Sequence, residues 1–167
     1  AMRRLYPDFE FSRLRETLGL LAANDYDYLR ISPPERIARL LWLYRQGRRH
    51  DGLYFAVEEG VDACAHPEVR VLFSVGNPPG KGFLRQVLEV FHRLEGRVSR
   101  AYCLELETGD TPHFLGTFYL ERRPRLDEDF FRRLRAELYI TQLLANDDAL
   151  YRRYVLGQLA IGKLAQH

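Results

Sequence analysis

Lysine is nearly missing from this chain of 167 residues: Lys81 and Lys163 stand beside 23 arginines. A bias spread over the whole sequence reads as coding composition rather than as a binding surface. Cysteine is equally scarce. Cys64 and Cys103 lie in separate segments and form neither a CxxC pair nor a framework. That excludes a disulfide scaffold and fits a reducing, cytoplasmic setting. An excess of one charge is also lacking, since 25 basic and 23 acidic residues leave +2. No global electrostatic argument for nucleic acid follows. No apolar run approaches the ~18 residues of a membrane span. The start, Ala1-Met2-Arg3-Arg4, is followed by Asp8, Glu10, Arg13, Arg15 and Glu16 instead of a signal-peptide core. Ala1 reads as a scar of tag removal, Met2 as a natural start, and the chain as a piece of something longer.

The composition is 46% hydrophobic, 13% aromatic and 29% charged, that of a soluble globular chain. At this length roughly 70% of the unfolded surface can be buried, so folding needs no metal or disulfide.

Periodicity divides the chain into a helical segment (1–50), an α+β domain (51–145) and a C-terminal helix (146–167). Phe11, Leu14, Leu18 and Leu21 predict a helix over 8–23. Ser32-Pro33-Pro34-Glu35 carries a capping box with Ser32 as N-cap and Pro33 at the first helical position. Ile37, Leu40, Leu41 and Tyr44 follow on one face, and Gly47 offers the stop. Strands are predicted at 53–59, 69–75, 98–107 and 113–121, the second of them buried on both faces. Helices are predicted at 80–95, closed by Gly96, and at 127–145, with Phe130, Leu134, Leu138 and Thr141 on one stripe. A last helix over 148–165 carries Leu150, Tyr154, Leu156, Leu159, Ile161 and Leu164, an apolar stripe wide enough to want a partner.

The order from 69 to 145 is strand, helix, strand, strand, helix. It is a ferredoxin-like βαββαβ sandwich without its closing strand. The 53–59 strand can fill that place, antiparallel to 69–75. The expected fold is therefore α+β, a four-stranded antiparallel ferredoxin-like (ACT-like) sheet in permuted order. Helices lie on one face, and further helices lie at both ends of the chain.

No catalytic constellation emerges. His50, His66, His92, His113 and His167 are scattered, and no HxxxH or HExxH occurs. Ser74 and Ser99 lack a nucleophile elbow, and no GxGxxG or Walker sequence is present. No metal site and no cofactor site is expected within the chain. His50-Asp51 reads as a solvated turn. The arginine groups 45-48-49, 122-123-125 and 132-133-135 read as solvated faces or subunit contacts. The strand from His113 to Tyr119 lacks the start and the charge of an RNA-recognition sheet, so Phe114, Phe118 and Tyr119 read as core and cross-strand pairs.

The turn Asn77-Pro78-Pro79-Gly80-Lys81-Gly82 leads from a strand into a helix N-terminus. Free N–H groups and the helix dipole favour an anion there, and the glycines admit close approach. Asn77, Gly80, Lys81 and Gly82 are therefore the candidate ligand residues. A rigid turn without a ligand is the other reading.

Several blocks resemble a known family: Val71-Leu72-Phe73-Ser74-Val75, Asn77-Pro78-Pro79, Arg100-Ala101-Tyr102-Cys103-Leu104 and Phe114-Leu115-Gly116-Thr117-Phe118-Tyr119. Glu137-Leu138-Tyr139 with Thr141-Gln142 is also similar. The blocks look like the N-terminal region of large bacterial NAD-specific glutamate dehydrogenases, over about two thirds of the chain. The resemblance implies ACT-like modules that often bind amino acids and signal to a catalytic domain elsewhere in the parent. On it, the chain is a non-catalytic regulatory or assembly segment, and NAD belongs to the parent. The partners would be the remaining domains, further copies of the chain in a homo-oligomer and an amino-acid effector. Neither nucleic acid nor membrane would be among them. A purely structural oligomerisation module is the alternative.

Overall fold

The structure, a computed structural model, describes residues 2–50, 52–61, 67–80, 82–107, 112–121 and 126–158. The chain is α+β. In order, the elements are α1 (Met2–Leu5), a 3-10 turn at Phe11–Arg13, α2 (Leu14–Asn24), α3 (Tyr26–Ile31) and α4 (Pro34–Arg49). Next come β1 (Leu53–Val61), β2 (Pro67–Gly76), α5 (Phe83–Arg93), β3 (Val98–Leu106), β4 (His113–Leu120), α6 (Glu128–Leu144) and α7 (Asp148–Val155).

The four strands form one sheet in the order β1-β2-β4-β3, and every neighbouring pair is antiparallel. This is the ferredoxin-like order with the closing strand moved to the front of the chain. Central strands carry the densest burial: every residue of β4 is buried, as are Val69 and Val71–Val75 of β2. Phe73 stacks on Phe118 at 5.2 Å and on Phe114 at 5.6 Å, so these aromatics are core.

The chain divides into two compact units. One comprises residues 1–78 and 98–122, the other residues 79–97 and 123–167. In the first, α4 packs on β2, β4 and β1. Leu40, Leu41, Leu43 and Tyr44 join Met2, Tyr6, Phe9 and Leu21 in a core with Leu72, Leu106 and Leu115 of the sheet. In the second, α5 packs on α6, and α6 on α7. The stripe Phe130, Leu134, Leu138 and Thr141 is buried as its spacing predicts.

Several boundaries differ from the sequence expectation. The first helical stretch is broken, with α2 preceded by the 3-10 turn and followed by a separate α3. Asp25 starts α3 by accepting the N–H of Tyr28 at 2.8 Å. Ser32 is not the N-cap of α4. Pro33 is, at φ −58° and ψ 148°, and no side chain caps this helix. The ring of Pro34 disfavours helical backbone at the residue before it, so Pro33 is extended and the helix starts one residue later. Helix α5 starts at Phe83 rather than 80, because Gly82 sits at φ 100° outside helical space. Helix α7 spans Asp148–Val155, and the stripe residues Leu159, Ile161 and Leu164 lie outside the described residues.

Two glycines read as helix stops do other work. Helix α4 runs past Gly47 to Arg49. A Cβ at Gly47 would overlap the hydroxyl of Ser74 and lie 2.6 Å from its Cβ, so the glycine lets α4 approach β2. Past the end of α5 the left-handed residue is Glu95, at φ 60°, and not Gly96. The N–H of Gly96 closes the turn on the carbonyl of Phe91 at 2.8 Å. A Cβ on Gly96 would lie 2.9 Å from the ring of Phe130.

Candidate functional site

Asn77 follows β2 in the left-handed region at φ 52°, a conformation asparagine tolerates. Its N–H donates to the carbonyl of Pro112 at 2.7 Å. The N–H of Gly80 donates to the side-chain oxygen of Asn146 at 3.3 Å, so a donor counted for an anion already has an acceptor. Gly82 is the N-cap of α5 and offers no side chain. No atom crowds a Cβ built at Gly80 or Gly82. Lys81 lies outside the described residues.

The histidines stay apart. His50 places Nδ1 2.8 Å from the carbonyl of Gln46, and its ring lies against Tyr54. His92 is exposed, and His113 is buried edge-on to Tyr44. His66 and His167 lie outside the described residues. Among the described residues no three His, Cys, Asp or Glu side chains cluster as metal ligands. Cys103 carries a free thiol on β3, and burial, then the charge of Glu105, pushes it up to about 12. Such a thiol is held protonated and is a poor nucleophile. A polar cavity of about 300 Å³ in the second unit is lined by Arg93, Glu95, Asp127, Asp129 and Arg133 among others. Several of these groups already have partners. Arg93 pairs with Glu137 at 2.9 Å, and Asp127 caps α6 by accepting the N–H of Phe130 at 2.8 Å.

The densest polar cluster is one that sequence motifs did not reveal. The pairing register aligns Glu58 with Arg70, Arg70 with Tyr119, and Tyr119 with Arg100, a polar row across all four strands. Period-2 alternation puts these side chains on the sheet face that α4 covers. Arg39 of α4 reaches the row. Its Nε donates to Glu58 at 3.1 Å and an Nη to the hydroxyl of Tyr119 at 3.3 Å. Tyr6 donates to Glu58 at 2.7 Å. Glu68, two residues before Arg70, accepts from the Nε of Arg70 at 2.8 Å and from Arg100 at 2.5 Å.

Carboxylates and guanidiniums thus alternate: Arg39, Glu58, Arg70, Glu68, Arg100. The two ends differ most in exposure, 8% for the Arg39 side chain against 46% for Arg100. Among the described residues no other arginine is buried, and such a charge persists only when paired. Burial alone would weaken its charge, but Tyr119, Tyr6 and Glu58 outweigh that and raise its pKa. Burial, then the bond to Glu58, also raises the pKa of Tyr6 well above that of a free phenol.

The tyrosines carry the remaining cations. Arg100 lies 4.2 Å from the ring centre of Tyr119, and Arg36 of α4 lies 3.7 Å from that of Tyr102. The two rings meet edge to face at 5.7 Å. The signal legible in the sequence was small: a few charges, Glu58, Glu68, Arg70 and Arg100, inside largely apolar strands. The conspicuous groups fared differently. Arg132, Arg133 and Arg135 are exposed, and Arg122, Arg123 and Arg125 lie outside the described residues.

No helix among the described residues is long and apolar enough to cross a membrane. No protein-family model and no curated protein sequence matches the chain.

Proposed function

We propose that the chain is a non-catalytic regulatory or assembly module of an NAD-dependent glutamate dehydrogenase, and that it responds to an amino-acid effector. One observation carries the reading: three of the blocks that resemble that family fall one on each strand of the split βαβ unit. Val71–Val75 lie in β2, Arg100–Leu104 in β3 and Phe114–Tyr119 in β4. The permuted ferredoxin-like order is a further support. On this reading glutamate oxidation, NAD and the catalytic residues belong to the parent enzyme, which is cytoplasmic. The effector's carboxylate would meet the turn at 77–82, where Gly80 and Gly82 leave the backbone uncovered.

Thermal unfolding of the chain against a panel of free amino acids at millimolar concentration tests this. A ligand at about 100 times its dissociation constant stabilises the folded state by ~2.7 kcal/mol. One or two amino acids should raise the midpoint, and Gly80→Leu should abolish the shift. A flat panel sinks the effector and leaves the assembly reading. The two open edges of the sheet, β1 and β3, favour that second reading.

A further inference from the structure

We infer that Arg36 and Arg100, mounted on the Tyr102–Tyr119 pair, form a receptor for an oxyanion, the carboxylate or phosphate group of a small molecule. The alternating chain begins and ends in arginine, so its three guanidiniums face two carboxylates, Glu58 and Glu68. Both carboxylates are shared between two arginines, which leaves no spare anion inside the cluster. Arg36 adds a fourth cation whose guanidinium has no hydrogen bond or ion pair among the described residues; it lies on the ring of Tyr102 and acts electrostatically on the neutral Tyr28. The surplus positive charge therefore collects at the exposed end of the row.

Geometry supports the same end. Arg39 is buried and Arg70 half-buried, and each donates two hydrogen bonds. Arg100 is half exposed and donates to one acceptor, Glu68. A guanidinium presents five donors in a planar fork that matches carboxylate and phosphate oxygens. Arg36 and Arg100 each rest on an aromatic ring, which limits their freedom and lowers the entropy lost on binding. The edge-to-face contact of the two rings holds both platforms together. Burial of the rest of the chain fixes one end of this device, while water reaches the other.

The inference does not depend on the glutamate dehydrogenase reading. Its test follows the Nε–Hε resonances of the arginines by NMR during separate titrations with sodium phosphate and sodium acetate at fixed ionic strength. Saturable shifts are expected at Arg36 and Arg100, with Arg132 and Arg133 as exposed references. Saturation by phosphate alone assigns a phosphate ester, and saturation by acetate alone a carboxylate. Arg36→Gln, which removes no ion pair, should weaken binding at least tenfold. Arg100→Gln should do the same, since Glu68 keeps Arg70. Weak linear shifts of equal size at all four arginines overturn the inference, as does unchanged affinity in both variants. A flat amino-acid panel together with saturating phosphate removes the effector of the preceding subsection and leaves this receptor standing.

Discussion

At Gly47 there is room for a hydrogen and nothing more, because the side chain of Ser74 occupies the place of a Cβ. Alanine is the better helix former by about 1 kcal/mol, yet overpacking typically costs about 1–3 kcal/mol. Gly47→Ala should therefore lower the unfolding midpoint, and Gly47→Ala with Ser74→Gly should recover most of the loss. Thermal melts of the two variants decide it. Cys103 makes a second prediction at this scale. Its folded pKa lies above the ordinary 9.0, at about 12. The stability this contributes is complete below pH 9 and is lost as the pH rises from 9 towards 12. Tyr6, also raised, acts in the same direction at high pH. Alkaline titration should thus destabilise the wild type more steeply than Cys103→Ala, and the thiol should resist iodoacetamide at pH 8. Residue-scale roles were the least legible in the sequence. Gly47 and Gly96 look like punctuation, and only the positions of Ser74 and Phe130 reveal them as close approaches.

Among the elements, helix starts show what local chemistry can announce. Asp25, Asp127 and Asp147 each accept N–H groups of the first turn they precede. Asp127→Ala should cost about 1 kcal/mol in a chemical melt. Ser32-Pro33-Pro34-Glu35 looked like a better cap and is not one, since two consecutive prolines restrict each other. Helix α4 nevertheless lies where its apolar spacing put it. The polar row that it shares with the sheet was not legible, because it depends on register across β1, β2, β4 and β3. Arg39 sets the energetic scale of that row. Arg39→Ala removes two hydrogen bonds and leaves Glu58 to Tyr6 and Arg70, and should destabilise by about 2–3 kcal/mol. Arg132, exposed and paired with Asp129 on the same helix, should tolerate alanine within about 0.5 kcal/mol. Urea melts of the two variants make the comparison.

For the whole molecule, the sheet order was readable because a missing closing strand and a spare strand ahead of it admit few solutions. The division into two units was not, since each is assembled from separate stretches of chain. Helix α5 is inserted between strands of the first unit yet packs on α6. Removal of residues 123–167 should therefore leave Phe83, Val87, Val90 and Phe91 without α6. Such a truncated chain should bind a dye for apolar surface and be cleaved within α5 by a protease that spares the intact protein. The permutation also bears on how quickly the sheet can assemble. In the usual order the closing strand reaches the central one only after every other element has been made. Here β1 and β2 are successive strands, and Val61 faces Pro67 only a few residues further along the chain. Pairing near in sequence loses little loop entropy. A hairpin of β1 and β2 can thus zip while the rest is still emerging from the ribosome, and it presents a ready edge for β4 to join.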